Sequence, residues 1–279
     1  MSEQQQLKVM LKQTFDAVAN GYDNRALRFF PESARNMATL LGLSGDEQVL
    51  DVACGTGHAS LAIAPMLPQG RITAVDFSSG MLEQARQKAR SMDIRNIDFL
   101  ERDMQDLGFP EGTFDIAVCA FGIFFVMDME TQLVHMTSTL KPGGRIMITN
   151  FQENYFHPLK DLFMDRLKTY GVQNPPQAWK RIAHEDGCRQ LFETAGLSSI
   201  RIEQKNVGYY LERADAWWDI VWNAGFRRLV AQLSPGDQTR FKQEHLEEIK
   251  ALRTDRGIWL DVGVLYTVGT KMEKPKEQC

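Results

Sequence analysis

The residues with the clearest chemical potential are a glycine-rich turn at 53–57 and an acid that follows it, Asp76. The turn reads Ala-Cys-Gly-Thr-Gly; it comes directly after an apolar stretch at 49–52 and leads into a helical pattern over 59–66. Glycine has no Cβ and tolerates positive φ, so the backbone here can approach a ligand closely, and the free amides of a helix start favour negative groups. Asp76 follows Gly57 by nineteen positions and ends a second apolar stretch. A carboxylate there can accept hydrogen bonds from two ribose hydroxyls, which favours a nucleoside-containing ligand.

Three further segments place these residues in a sheet. Residues 97–103 predict a third strand that again ends in an acid, Asp103, and residues 114–121 predict an almost continuously apolar fourth strand. Leu-Lys-Pro-Gly-Gly at 140–144 predicts a turn that leads into a strand over 145–149. Helix-length segments separate these strands, which indicates a doubly wound α/β fold. An apolar strand of this kind is typical of a parallel sheet that is covered on both faces.

With these segments in order, the chain resembles the class I S-adenosylmethionine-dependent methyltransferases, especially the small-molecule branch that includes the quinone-biosynthesis C-methyltransferases. The matching motifs are Leu50-Asp51-Val-Ala-Cys-Gly55-Thr-Gly57, Asp76 with Met81, Asp103-Met104 and Leu140-Lys-Pro-Gly-Gly144. The resemblance covers residues 15–150 well and the rest of the chain loosely. It implies a mostly parallel, seven-stranded, Rossmann-like methyltransferase sheet, to which the helical pattern of an insertion at 212–257 adds a helical cap. It also implies S-adenosylmethionine as cofactor and S-adenosylhomocysteine as its product.

The same resemblance implies roles for individual residues. Asp51 and the glycine turn would hold the methionine part of the cofactor, and Asp76 would hold the ribose. Asp103 would accept from the adenine amine, and the backbone amide of Met104 would face the adenine ring. The expected cofactor-binding residues are Tyr22, Asp51, Ala53, Cys54, Gly55, Gly57, Asp76, Phe77, Met81, Asp103, Met104, Ala120 and Phe121. No metal-type spacing is present, so no metal is expected.

Two other functions explain fewer of these residues. A NAD-linked oxidoreductase would need a third glycine, but the pattern from Gly55 ends at Ser60, and Asp103 and 140–144 would have no role. A non-catalytic, cofactor-binding regulatory module is the second alternative. The intact set of turn glycines and strand-end acids argues against a decayed site. A tryptophan-quench titration with S-adenosylmethionine and NADH would separate the first alternative from a methyltransferase.

Methyl transfer from a sulfonium is an in-line displacement in which the leaving group becomes a neutral thioether. Positioning supplies most of the acceleration, and a base is needed only when the acceptor must lose a proton. Tyr22, Asp128 and His157 are the candidates near the sheet edge, but none belongs to a recognisable dyad, and His157 reads as a surface loop residue. His58 is expected to cap the helix that follows the turn. The sequence therefore identifies no catalytic residue.

Composition and charge limit the kinds of partner that this chain is expected to bind. The chain has 279 residues, 43% of them hydrophobic, with a net charge of −4 and a pI of about 5.8, so no global field attracts nucleic acid or anionic lipid. Four scattered cysteines and the absence of a signal-like start favour a cytoplasmic protein. The longest apolar run, at 116–127, is too short to span a bilayer. We expect a small-molecule methyl acceptor, no nucleic acid or membrane partner, and a monomer or homodimer.

The chain divides around the sheet. The predicted parts are an N-terminal helical lid at 1–42, a cofactor-binding core at 43–150, an insertion at 151–183, a C-terminal half of the sheet at 184–271 with a helical cap insertion at 212–257, and a tail at 272–279. Strands are predicted over 199–206 and 261–269, and a helix over 185–195. Asn174-Pro-Pro-Gln177 resembles an amino-group methyltransferase motif, but it does not follow strand four and is interpreted as a loop turn.

The cap is rich in aromatic residues. A single helix is predicted over 215–233, and Ser234-Pro-Gly-Asp237 predicts the start of another. Tyr209, Tyr210, Trp217 and Trp218 either line an acceptor pocket or pack inside the cap. If they only pack, the acceptor site is expected between Tyr22, Phe121 and the 151–180 segment.

Overall fold

The computed structural model of this chain describes residues 3–173 and 177–272. Its strands are β1 (Gln48–Val52), β2 (Arg71–Asp76), β3 (Ile97–Glu101), β4 (Phe114–Ala120), β5 (Leu140–Phe151), β6 (Leu197–Asn206), β7 (Tyr209–Leu211), β8 (Ile258–Leu260) and β9 (Gly263–Lys271). Seven of them form one sheet in the order β3-β2-β1-β4-β5-β9-β6. Strands β1 to β5 run parallel, whereas β9 is antiparallel to both β5 and β6. The predicted seven-stranded, mostly parallel sheet is confirmed.

Helices cover both faces of this sheet. They are α1 (Glu3–Val18), α2 (Phe29–Leu41), α3 (His58–Ile63), α4 (Ser79–Ser91), α5 (Met129–Ser138), α6 (Leu159–Thr169), α7 (Glu185–Thr194), α8 (Ala214–Asn223), α9 (Arg227–Val230) and α10 (Pro235–Lys250). The Asn174-Pro-Pro turn and the tail at 273–279 lie outside the described residues. Within the described ranges, no helix is long and apolar enough to cross a membrane.

Alternating side chains of the central strands divide the core into two layers. On β4, Ile116 and Val118 belong to the cluster that contains buried residues of α2 and α3. Ala117 and Cys119 belong to the opposite cluster, with buried residues of α5 and α7. Both faces of β4 are therefore buried, which explains why the strand is apolar at successive positions.

The turn predicted at 140–144 is the irregular first part of β5. The pairing passes from Phe114 opposite Leu140 directly to Ile116 opposite Arg145, so three extra residues bulge out of the ladder. Gly143 lies in the left-handed region with φ of 76°. A bulge of this kind needs a residue that tolerates positive φ, which is the part that glycine supplies here.

The cap differs from its predicted form in one helix. The single helix predicted over 215–233 was wrong: α8 ends at Asn223, and Ala224 is extended (φ −132°, ψ −165°) before α9 begins. The break turns Phe226 toward Phe163, with ring centroids 5.4 Å apart. Tertiary packing of this ring outweighs the helical spacing of the segment.

The sequence predicted the start of helix α10 in the cap but not the small sheet beside it. Helix α10 begins as predicted, since the Asp237 amide donates to Ser234 Oγ at 3.2 Å. Strands β7 and β8 pair antiparallel into a small second sheet that was not predicted. Three-residue strands carry too little alternation for a sequence pattern to show them.

Candidate functional site

The turn after β1 holds its backbone in an unusual shape. Ala53, Gly55 and Gly57 all have positive φ, at 57°, 55° and 83°. A Cβ added to Gly55 would meet no atom within 4 Å, so this position borders open space. A Cβ added to Gly57 would lie 3.0 Å from the Cβ of Ala85 in α4. The first glycine therefore opens the turn to a ligand, whereas the second allows α3 and α4 to pack closely.

A cavity lies at the carboxyl ends of β1, β2, β3 and β4, and we call it the edge cavity. Most of the residues that sequence analysis assigned to the cofactor line it: Tyr22, Ala53, Gly55, Asp76, Phe77, Met81, Asp103, Met104, Ala120 and Phe121. Asp51, Cys54 and Gly57 are not part of its lining: Asp51 is buried beneath the turn, and Cys54 and Gly57 belong to the turn itself. The sheet therefore brings the strand-end acids and the turn to one place, as the resemblance implied.

Asp76 is held in a fixed orientation by the backbone around it. Its carboxylate accepts hydrogen bonds from the Gly55 amide at 2.8 Å and from the Ser78 amide at 2.9 Å, one on each oxygen. Burial raises the pKa of Asp76 to about 6, although these amide bonds favour the charged form. Each carboxylate oxygen has a second lone pair, so both can still accept from a pair of hydroxyls.

Asp51 is completely buried beneath the turn. Its Oδ2 accepts from the Ser60 amide at 3.1 Å and from the Ser60 hydroxyl at 2.5 Å, whereas its Oδ1 has no hydrogen-bond partner among the described residues. A buried acceptor without a partner costs about 1–3 kcal/mol. Burial also raises the pKa of Asp51 to about 7. An ammonium group that reached Oδ1 would relieve this cost, so the site fits a cationic amino group.

This burial predicts an unusual pH dependence of stability. A carboxylate whose folded pKa lies near 7, far above its unfolded value of about 3.9, binds its proton more tightly in the folded state. Its destabilising effect is therefore complete above pH 7 and is relieved as the pH falls toward 5. We expect the Tm of the wild type, relative to the Tm of Asp51→Asn, to rise as the pH falls from 8 to 5.5 when both proteins are measured without ligand. A constant difference between the two proteins over this range would show that Asp51 titrates normally.

Helix α1 closes the edge cavity from outside. Lys8 forms an ion pair with Asp103, and Lys12 donates to the Phe77 carbonyl and, at 2.8 Å, to Glu101. The residues of the lining that sequence analysis missed are Gln4, Leu7, Lys8, Leu11, Phe15, Arg102, Gln105, Gly122, Phe125, Val126 and Met127. Leu7, Leu11, Phe15 and Val18 recur at helical spacing, and this stripe was the available signal.

A second and wider cavity of about 620 Å³ lies under the cap, and we call it the cap cavity. Its walls come from α2, the segment after β5, α6 and the break between α8 and α9. Its aromatic lining consists of Phe15, Tyr22, Phe29, Phe30, Phe121, Phe124, Phe125, Phe151, Tyr155, Phe156, Trp179 and Phe226. The volume lies within the range of small-molecule sites, and apolar walls with a few polar groups are typical of them.

The two cavities share four wall residues, which we call the aromatic junction: Phe15, Tyr22, Phe121 and Phe125. Phe121 has a φ of 54°, a conformation that is uncommon for a residue other than glycine. Its ring stacks on Phe151 with centroids 4.4 Å apart, and Tyr22 stacks on Phe30 at 5.0 Å. A ligand in the edge cavity and another in the cap cavity would meet across these rings.

The four cap aromatics considered for an acceptor pocket do not line the cap cavity. Trp217 is completely buried, and its Nε1 donates to His245 Nε2 at 2.8 Å. Tyr209 donates to the Ala26 carbonyl, and Tyr210 packs against Trp259. Among the large rings of the cap insertion, Phe226 reaches the cap cavity. The open space lies instead between Tyr22, Phe121 and residues 151–180, the alternative position that the sequence left open.

The candidate bases have other roles. Asp128 caps α5 by accepting from the Thr131 amide at 2.9 Å, and exposed His157 pairs with Asp161 at 2.6 Å. His58 does not cap α3, since Gly57 occupies the cap position; its imidazole faces Asp23 at 2.9 Å instead. Tyr22 lies in the aromatic junction, but burial raises its pKa far above its ordinary value. It is therefore a poor proton acceptor near neutral pH.

Comparison with known proteins agrees with this geometry. Residues 49–144 match a family model described as a methyltransferase domain. The ubiquinone/menaquinone biosynthesis C-methyltransferase UbiE of Pasteurella multocida is 30% identical over 218 residues, which cover 71% of this chain and 81% of that protein. The aklanonic acid methyltransferase DauC of a Streptomyces strain is 28% identical over 62% of this chain and 80% of that protein. The chain belongs to the S-adenosylmethionine-dependent methyltransferase family.

Solved structures support the fold of this methyltransferase. The YcgJ protein of Bacillus subtilis superposes with a TM-score of 0.58 and 20% identity, covering 87% of this chain and 99% of that one. An S-adenosylmethionine-dependent methyltransferase of Aquifex aeolicus superposes with a TM-score of 0.51 and 20% identity, covering 68% and 89%. At these identities the likeness shows the fold alone. Neither the oxidoreductase nor the regulatory-module alternative is supported.

The edge cavity suits the cofactor of this enzyme family in two respects. The open space at Gly55 admits a ligand against the turn. Asp51 Oδ1, buried beneath that turn, has no hydrogen-bond partner among the described residues and would be satisfied by an amino group that entered there. The part of the chain that the structure describes contains no group of three or more potential metal ligands.

Proposed function

We propose that this methyltransferase acts on a hydroxylated ring compound that binds in the cap cavity and reaches the methyl group through the aromatic junction. The observation that carries the proposal is the composition of the junction, which consists of three phenylalanines and Tyr22. Several relatives are named as ubiquinone/menaquinone C-methyltransferases, and quinones are ring compounds. Flat aromatic walls favour such a ring by stacking.

The cofactor's place follows from the edge cavity. Asp76 would accept from the ribose hydroxyls, Asp51 from the amino group and Asp103 from the adenine amine. When bound, S-adenosylmethionine supplies an electrophilic methyl group on a positively charged sulfur. The faces of the junction rings attract a cation and exclude water. Cys54 and Gly57, which belong to the turn but do not line the edge cavity, would act by shaping the turn.

The acceptor would bind with its hydroxyl group already ionised. Tyr22 is the one residue of the junction with a titratable side chain, and its raised pKa leaves it protonated near neutral pH. A phenolate can attack the methyl group through oxygen or through ring carbon while the sulfur leaves as a neutral thioether. Attack through oxygen releases no proton, and after attack through carbon the ring proton moves to the phenolate oxygen, so no protein base is needed. Residues 1–42 would serve as the lid, 43–150 as the cofactor-binding core, and 151–183 with the cap at 212–257 as the acceptor-binding part.

The pH dependence of the rate tests this mechanism. Across hydroxynaphthalenes of different hydroxyl pKa, the rise of kcat/KM with pH should follow the acceptor's own ionisation. Tyr22→Phe should lower kcat less than tenfold, because loss of a general base costs about 10²–10⁴-fold. An ionisation that stays fixed as the acceptor changes, together with a thousandfold loss in Tyr22→Phe, would instead make Tyr22 the base.

We also propose that the enzyme is cytoplasmic, a monomer or homodimer, and without a nucleic-acid or membrane partner. The net charge of −4 supports the absence of nucleic-acid binding. Cys54, Cys119 and Cys188 are free and buried, which suits a reducing compartment.

A further inference from the structure

The charged residues of the cap cavity are unevenly paired. Three carboxylates line it, and each has a basic partner: Glu153 lies 2.8 Å from His184, Asp161 lies 2.6 Å from His157, and Asp165 lies 2.7 Å from Lys168. Four cations line the same cavity, namely Lys160, Lys168, Lys180 and Arg228. The lining therefore carries one more cation than carboxylate. Lys168 pairs with Asp165 and Lys180 lies 3.9 Å from Glu153, so Lys160 and Arg228 are the lining cations without an ion pair among the described residues.

Arg228 has no partner of its own. Its guanidinium makes no hydrogen bond, ion pair or aromatic contact with any of the residues described, although the side chain is half-buried. Loss of solvent lowers its pKa, which records the cost of keeping this charge partly out of water. Charged groups that lose water are normally paired. A guanidinium with five free donors is an incomplete binding site, and its fork matches a planar carboxylate.

Lys160 is a second lining cation that makes no direct ion pair among the described residues, although Asp161 and Glu153 attract it from farther away. Its ammonium donates to the Glu153 carbonyl at 3.0 Å and lies over the rings of Tyr155 and Trp179, 3.8 and 4.9 Å from their centroids. Burial lowers the pKa of Lys160 to about 8. These rings form a wall against which a flat molecule could lie with its negative group near a cation.

We infer that Arg228 is the anchor of an anion subsite in the cap cavity, with Lys160 as a second cation on the same walls, and that the acceptor is an aromatic carboxylate. The inference rests on the proposed function in placing the acceptor in the cap cavity. It adds the charge of the acceptor and the residue that selects it. The carboxylate would bind at Arg228 while the ring extends toward the aromatic junction.

The test compares the binding of 2-naphthoate and 2-naphthamide, which differ in charge but little in shape. Affinities are measured by calorimetry with S-adenosylhomocysteine present. We expect wild type to bind the naphthoate at least about tenfold more tightly, since hydrogen bonds to charged groups are the strong ones. Arg228→Met should remove this preference, and Arg228→Lys should retain part of it.

Arg227→Met is the matched control. Arg227 is the neighbouring residue of α9 with the same charge, but it donates to the Ala17 carbonyl at 3.2 Å, lies over Trp222 and is not part of the cavity lining. This variant should keep the preference for naphthoate. Without ligand, Arg228→Met should melt no lower than wild type, because it removes an unpaired charge; a structural arginine would lower the Tm.

Three outcomes would overturn the inference, and they do so in two different ways. Equal binding of both probes by wild type, or an undiminished preference in Arg228→Met, would overturn the anion subsite and leave the proposed function standing. Failure of wild type to bind either probe would overturn the placement of an aromatic acceptor in the cap cavity, and the anion subsite with it.

Discussion

Replacing Asp76 with alanine should weaken S-adenosylmethionine binding by about 1.5–3 kcal/mol, roughly a 10- to 150-fold rise in Kd. The buried carboxylate lines the edge cavity, and the Gly55 and Ser78 amides hold its two oxygens in a fixed orientation. Alanine removes the acceptors for two hydroxyls and loosens the turn that the carboxylate fixes. Asp76→Asn keeps one acceptor oxygen and should lose less. Isothermal calorimetry on the three proteins measures the series.

Asp98→Ala is the control for this prediction. Asp98 lies on β3 and pairs with Arg71 on the surface, 2.7 Å from its Nη2, and it is not part of the lining of the edge cavity. Its loss should leave the Kd for S-adenosylmethionine unchanged. Wild-type affinity in Asp76→Ala would remove this carboxylate from the cofactor site.

Replacing Trp217 with alanine should lower the free energy of unfolding by about 3–5 kcal/mol, because a large ring is lost from a packed core. Trp217 has no exposed surface. Its ring meets Phe156, Phe163 and Phe226 with centroids 5.7, 6.4 and 6.1 Å away. The substitution also leaves His245 Nε2, which accepts from the indole, without its partner. Denaturant unfolding measures the change.

Trp259→Ala provides the comparison, because Trp259 is 41% exposed and packs mainly on Tyr210. Its loss should cost less than about 1 kcal/mol, as for most surface positions. If Trp217→Ala were as stable as wild type but raised the KM for the acceptor, Trp217 would be a pocket residue and the description of the cap core would be wrong.

The parts of the fold that the sequence predicted best are those in which local pattern and tertiary environment agree. Strand β4 is apolar at successive positions because helices cover both of its faces, so its pattern in the sequence already describes its surroundings. Asp76 and Asp103 could be placed at one sheet edge because parallel strands end on the same side. These two inferences located most of the edge cavity.

The features that the sequence did not predict depend on contacts between distant segments. Helix α1 reaches the edge cavity because Lys8 and Lys12 bind residues about ninety positions away, at Asp103 and Glu101. The break at Ala224 follows from the packing of Phe226 against α6. The spacing of residues within a helix shows that one face is buried, as for α1, but not which surface that face covers or where the helix breaks.

The residues around the proposed acceptor site were harder still to predict from the sequence. The sequence did not show whether the cap aromatics are pocket walls or core residues, because the two uses differ in burial. The structure buries Trp217 inside the cap and opens the cavity along residues 151–168 and 177–180 instead. The unpaired state of Arg228 likewise could not be read from its neighbours in the chain, because its possible partners come from other elements.

A crystal structure of the enzyme with S-adenosylhomocysteine tests the central claim most directly, namely that the two cavities hold the two reactants and meet at the aromatic junction. We predict that the ligand lies in the edge cavity, with its ribose at Asp76, its adenine amine at Asp103 and its sulfur facing Tyr22 and Phe121. The cap cavity should remain free. A ligand bound in the cap cavity, or a sulfur directed away from the junction, would contradict this account.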